Sequence, residues 1–225
     1  LNPTNGQAYE NYYYDSSITA WRSAGSKTGV NQRTTALELA DATTNKSGLV
    51  PVIPATFSTV SGTSSRSGAT VSFAGVSSVS LNNCFTSTYK NYRIDICKMT
   101  TTAATEMLLR LRASNADVTA NAYYSAGAYW SYTSASAQVP GSANTYYRLM
   151  PIGAGGYTNL RIDIHLPAVS IGTSIIMDGV GGTENLSRYV VSGVHNSAGA
   201  YDGITLLLGA AANISGDITV YGYNS

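Results

Sequence analysis

Residues Ser80–Ser114, SLNNCFTSTYKNYRIDICKMTTTAATEMLLRLRAS, decide how the rest of the chain is read. Tyr92, Ile94 and Ile96 alternate with Arg93, Asp95 and Cys97, so an extended segment has one apolar and one mixed face. After a polar link over Thr100 to Thr105, Met107, Leu109 and Leu111 alternate with Leu108, Arg110 and Arg112. Period-2 alternation in neighbouring runs is the pattern of half-buried antiparallel strands. If the two runs pair with each other, Arg110 or Arg112 faces Asp95 across the ladder. Upstream, a turn-rich approach (Asn82, Asn83, Ser87) sets Phe85 and Tyr89 into the edge of the core.

Further strands are expected on both sides of this stretch, at 70–74, 76–81, 122–132, 145–150, 159–166, 174–178, 187–195, 203–208 and 217–223. Many short strands with Gly, Asn and Ser breaks predict an all-β fold, an antiparallel β-sandwich of jelly-roll type, over residues 51–225. One phrase recurs: Asn91-Tyr-Arg-Ile-Asp-Ile96 returns as Asn159-Leu-Arg-Ile-Asp-Ile164. A duplicated sheet half accounts for the echo, and so does one strand solution reached twice.

Residues 1–50 read differently, as a short, mostly irregular anchoring and oligomerisation segment. Tyr9, Tyr12, Tyr13, Tyr14 and Trp21 crowd together without a period, and Thr35 to Asn45 offers one weak helix ending near Gly48. So short a segment buries no core of its own, and its aromatics need a neighbour. Val50-Pro-Val-Ile-Pro54 reads as an extended linker, kept from a sheet centre by its prolines.

Composition narrows the function. Only 11% of the 225 residues are charged, against roughly a quarter in an average protein, and the formal net charge is +1. A near-neutral chain lacks the field that gathers nucleic acid or an anionic membrane, so neither is expected as a partner. No apolar run reaches the roughly 18 residues of a membrane-spanning helix. The opening LNPTNGQAYENYYYD has no basic or apolar leader region, so it does not read as a signal peptide. Its Leu1 in place of Met reads as a trimmed or an engineered beginning.

The two cysteines, Cys84 and Cys97, have no metal-ligand spacing. Cys97 is expected as a small buried apolar residue, with a Cys84–Cys97 bridge as the alternative. No metal and no cofactor is expected. Asp163 and His165 share a strand face, but no GxSxG-type elbow supplies a nucleophile for a triad. A glycosidase pair would have to come from Asp163, Asp178, Glu184 or Asp202, none of which is marked out. Asp178-Gly179 and Asp202-Gly203 read as tight turns, and the run Met177 to Thr183 as a glycine-rich loop. No catalytic residue is assigned. The cluster Asn121, Tyr123, Tyr124, Tyr129, Trp130 and Tyr132 is the best candidate for a contact surface, because Tyr and Trp suit sugar rings and protein interfaces alike. Alternation puts Tyr124 on the face opposite Tyr123 but sets Trp130 only partly opposite Tyr129 and Tyr132, which leaves some members for the core or a subunit contact.

Four phrases together resemble the C-terminal β domain of tailed-bacteriophage virion appendages, such as tail and head fibres. They are Leu49-Val-Pro-Val-Ile-Pro54, Phe85-Thr-Ser-Thr-Tyr-Lys-Asn-Tyr-Arg-Ile94, Leu109-Arg-Leu-Arg-Ala-Ser114 and Gly216-Asp-Ile-Thr-Val-Tyr-Gly-Tyr223. The resemblance spans residues 49–225, and the lead-in Tyr9-Glu-Asn-Tyr12 with Trp21 adds to it. It implies a non-enzymatic virion protein, a homotrimer, anchored to other virion proteins through Tyr9, Tyr12, Tyr13, Tyr14 and Trp21. Its β-sandwich would face a host-surface polysaccharide or receptor. The alternatives are a purely structural capsid decoration or collar protein and, below that, a carbohydrate-active enzyme.

Overall fold

The computed structural model describes residues 12–15, 20–23, 48–131, 137–139, 144–182 and 187–224. It divides into two units, Leu1–Lys46 and Ser47–Ser225. The described part of the first is an antiparallel hairpin of β1 (Tyr12–Asp15) and β2 (Ala20–Ser23), in which Tyr14 stands opposite Trp21 and Tyr13 opposite Arg22. Tyr9 and the helix expected over Thr35 to Asn45 lie outside the described residues.

The second unit is all-β and antiparallel. Its strands are β3 (Gly48–Val52), β4 (Thr56–Val60), β5 (Thr63–Ser67), β6 (Thr70–Val76), β7 (Ser78–Asn82), β8 (Asn91–Thr101), β9 (Thr105–Ala113) and β10 (Ala116–Asp117). They continue with β11 (Tyr123–Ser131), β12 (Ala137–Val139), β13 (Tyr147–Ile152), β14 (Tyr157–His165), β15 (Ile171–Gly182), β16 (Ser187–Gly199), β17 (Gly203–Leu208) and β18 (Ile214–Asn224). One sheet contains the order β6-β18-β8-β14 and the other β7-β17-β9-β13. Read along the chain, these eight strands have the connectivity of a jelly roll. The inserted strands β15, β16 and β11 widen the first sheet beyond β14, and β5 closes its far edge.

The alternation of β8 and β9 is as the sequence predicts, with Tyr92, Ile94, Ile96, Met107, Leu109 and Leu111 all buried. Their pairing is not. The two strands lie in different sheets, so the expected ladder between Asp95 and Arg110 or Arg112 does not form. Alternation says which face of a strand is buried but not which strand lies beside it. Here the short link crosses between the sheets, and the two apolar faces meet in the core. Arg112 and Arg110 instead bind Asp117, presented by a hairpin turning through Ser114 and Asn115, both at positive φ.

The echoed phrases sit on β8 and β14, which pair with each other. Arg-Ile-Asp is self-complementary when two copies run antiparallel: Arg93 faces Asp163, Ile94 faces Ile162, and Asp95 faces Arg161. The inner residues of this pair, with Ile164, Ile218 and Val220, pack against Leu81, Leu109, Leu111, Leu149 and Leu206 of the other sheet.

Several local expectations are corrected. Residues Gly48–Val52 form an edge strand along the end of β18, Pro51 opposite Tyr221, so only the remainder of the proline-rich stretch is a connection. Asp178-Gly179 is no turn and the glycine-rich run is no loop: β15 runs through Gly182. Its glycines are there for space, since a Cβ on Gly179 would lie 3.1 Å from both Leu160 and the Met150 sulfur, and one on Gly181 would lie 2.6 Å from the Thr158 hydroxyl. Cys97 points outward and is exposed, whereas Cys84 is buried; both are free thiols. Burial pushes the Cys84 thiol up to about 12. Phe85 and Tyr89 do seat at the edge of the core, both against the ring of Tyr92.

Candidate functional site

Alternation along β11 separates the aromatic cluster into two populations. Tyr123 is fully buried, donates its hydroxyl to Val118 O at 2.8 Å and accepts from the Leu111 amide at 3.1 Å. Tyr129 is half-buried and stacks on Tyr189, ring centres 5.3 Å apart. Both are packing residues. Tyr124 and Trp130 point outward at 43% and 49% exposure. Asn121 is exposed in the turn before the strand, and Tyr132 lies outside the described residues.

The outward side chains of the large sheet form regular rows across its strands. Trp130 stands beside Arg188, Arg188 beside Val180, and Val180 beside Asn159. The next row sets Asp178, Arg161 and Asp95 side by side. Near the other end of β11, Tyr124 adjoins Val194, and Ile176 in the neighbouring row is also exposed. The outer face thus has an aliphatic and aromatic end and a polar middle. Tyr124 and Trp130 are six residues apart on one strand, about 20 Å.

Most charges of the middle are held in ion pairs. Arg188 grips Asp178 through two hydrogen bonds of 3.1 and 2.8 Å, which lower that carboxyl against the opposing effect of burial. Asp163 accepts from Arg93 Nε at 2.9 Å and from the Tyr223 hydroxyl at 2.5 Å. Partial burial alone would raise it, but these donors and Arg161 hold it below the usual carboxylate range. The Arg93 guanidinium also lies over the Tyr223 ring, 5.2 Å from its centre. Asp95 is raised, burial outweighing Arg93 and Arg161.

This geometry places the residues weighed for chemistry. Asp163 and His165 do share the outer face of β14, but Asp163 is committed to Arg93 and Tyr223. Asp178 is committed to Arg188. The backbone oxygen of Asp202 accepts from the Cys84 and Phe85 amides at 2.8 and 3.0 Å, and its carboxylate accepts from the Ser114 amide at 2.8 Å. Glu184 lies outside the described residues. Among the described residues no group of three or more His, Cys, Asp and Glu is placed to hold a metal ion. Among the described residues there is no helix long and apolar enough to cross a membrane.

Sequence reading missed Arg188, Val180 and Asn159 as neighbours of Trp130. The signal was present, since each is an outward residue of an alternating strand, but the register that joins them is set only by strand pairing. Comparison with known proteins brings no matching family model and no matching curated protein.

Proposed function

We propose that this chain is a structural, non-enzymatic protein of a tailed-phage virion, a fibre-type appendage whose β-sandwich attaches to the host surface. The observation that carries this reading is the outer face of the large sheet. Half-exposed Trp130 stands there on a rigid hydrogen-bonded ladder, beside charged groups already paired with one another. Such a face presents a fixed pattern for recognition and commits Asp163, Asp178 and Asp217 to ion pairs rather than to a reacting pair. The four phrases that resemble those of virion appendages support the location. The hairpin bearing Tyr12, Tyr13, Tyr14 and Trp21 is the proposed particle anchor.

The test joins labelling and adsorption. Antibodies against the chain should decorate an appendage of phage particles and block their attachment, and Trp130→Ala should abolish adsorption while assembly proceeds. Unlabelled particles would sink the virion reading. A second reading, a decoration or collar protein, draws on the aliphatic end around Tyr124, Ile176 and Val194, which would then clamp the particle. It predicts normal adsorption with Trp130→Ala and loss of incorporation with Tyr124→Ala.

A further inference from the structure

We propose that the outer face of the large sheet carries one continuous trough, running across the strands from β5 to β11, that binds a linear, uncharged polysaccharide. The inference rests on the attachment reading and names the class of surface ligand.

Strand register builds the trough. On one side of β8, Ser65 faces Ser72, Ser72 faces Asp217, and Asp217 faces Cys97. On the other side, Asn159 continues through Val180 and Arg188 to Trp130. An irregularity in the pairing of β8 with β14 joins the halves: Lys98, at φ 54°, is turned so that its amide donates to Asn159 Oδ1 at 2.9 Å. Two shallow grooves are lined by residues of this row between β5 and β15. One, of about 330 Å³, is lined by Ser65, Ser72, Lys98 and Asp217; the other, of about 270 Å³, by Asp95, Cys97, Asn159, Arg161 and Asp178. Seven strand spacings of about 4.8 Å give the row a length of roughly 34 Å.

The lining selects the ligand. Asp95, Asp178 and Asp217 stand against Lys98, Arg161 and Arg188, a balance without the cationic excess that a polyanion such as nucleic acid requires. A peptide adding as a strand needs an open sheet edge, whereas this row crosses strands whose backbone groups already pair with one another. What the trough offers is side-chain donors and acceptors held in place. Ser72 donates to Asp217 at 2.6 Å, and Lys98 holds the other carboxylate oxygen at 3.2 Å. Asn159 has its oxygen fixed by the Lys98 amide, which leaves its NH₂ directed away from that bond as a set donor. Trp130 closes the row with a flat apolar surface on which a sugar ring can stack. A chain of hexoses advances by about one strand spacing per unit, ~5 Å, so successive sugars meet successive strands.

The test is a nuclear magnetic resonance titration of the whole chain with maltohexaose, cellohexaose and chitohexaose, each compared with its disaccharide, and with a polyuronate hexamer. The expected result is that a neutral hexasaccharide moves the Trp130 indole and Asn159 side-chain signals together with the Ser72 amide. Affinity should rise with chain length, and Trp130→Ala and Asn159→Ala should each weaken binding roughly tenfold. No shift along the row with any of the neutral hexasaccharides, shifts confined to another surface, or preference for the polyuronate would overturn the proposal. Cell adsorption separates it from the attachment reading. Adsorption that depends on Trp130 without hexasaccharide binding removes the trough and leaves attachment. Hexasaccharide binding along the row with adsorption unchanged in Trp130→Ala supports the trough and removes attachment.

Discussion

Arg112 shows how a low-charge chain uses one cation. It is buried on the outer side of the smaller sheet, where Nε donates to Asn82 Oδ1 at 2.7 Å and Nη1 to Ser80 Oγ at 3.1 Å and Thr205 Oγ1 at 2.7 Å. It also binds Asp117 and the Asn115 carbonyl, so one guanidinium joins β7, β17, β9 and the β9–β10 turn. Arg112→Leu takes a donor from Asp117 and from four neighbours, Ser80, Asn82, Thr205 and the Asn115 carbonyl. Because Asp117 keeps some solvent and Arg110 nearby, the expected loss is about 2–3 kcal/mol, below the 3–5 typical of a fully buried pair. Urea unfolding of the variant measures it; a loss under 0.5 kcal/mol would contradict this account. His195 makes the opposite bargain. It is fully buried between Tyr123 and Tyr201, with Nδ1 at 2.7 Å from the Tyr201 hydroxyl and Nε2 without a partner among the described residues. Burial, only partly offset by the Ser197 backbone, holds its pKa below the ordinary value. The unfolded chain therefore takes up a proton that the fold refuses. Stability should be level above about pH 6.5 and fall as pH drops through that value towards the lower folded pKa. Asp163 and Asp178, lowered in the fold, add a second loss only below about pH 4. Thermal melts between pH 7.5 and 4.5 check the first window, and His195→Gln should flatten it.

At the scale of elements, β15 and the β8–β14 pair are the instructive cases. A run of three glycines among seven residues, Met177 to Thr183, looks like a loop because glycine favours turns. It is a strand because Met150, Met177 and Leu160 leave no room for a Cβ beside β14. Gly181→Val should therefore lower stability by about 1–3 kcal/mol through overpacking, rather than raise it through β-propensity. Equilibrium unfolding decides the sign, and a stabilised variant would refute the packing argument. The self-complementary Arg-Ile-Asp phrases were visible as an echo. That they pair with each other became visible only with the register, which puts unlike charges opposite at both ends of the motif.

For the whole molecule, the open question the fold poses is what lies on the large sheet. The aliphatic end at Tyr124, Ile176 and Val194 is set about 20 Å along β11 from Trp130, so one face has room for both a subunit seam and a ligand row. The homotrimer proposed for an appendage predicts a solution mass of three 23.6 kDa chains by light scattering. Tyr124→Asp should dissociate it if the aliphatic end is the seam. A trimer that persists in that variant but is lost when residues 1–50 are removed would transfer assembly to the N-terminal segment. A monomer throughout would favour the decoration reading.

The sequence by itself determined the fold class and the buried faces. The eleven expected strands are all present, and Ile94, Ile96, Leu109 and Leu111 are buried as their alternation predicts, because period-2 burial is a local property of a pleated strand. The separation of Tyr124 from Tyr123 was legible for the same reason, while the structure decided that Tyr124 and Trp130 face outward. Only the tertiary structure decided that β8 and β9 belong to opposite sheets, that the Val50-Pro51 stretch pairs with β18, and that Asn159 and Trp130 share a row. Each of these depends on pairing between residues far apart in the chain. Pairing is chosen by how two complete sheets fit face to face, and no local pattern carries that information.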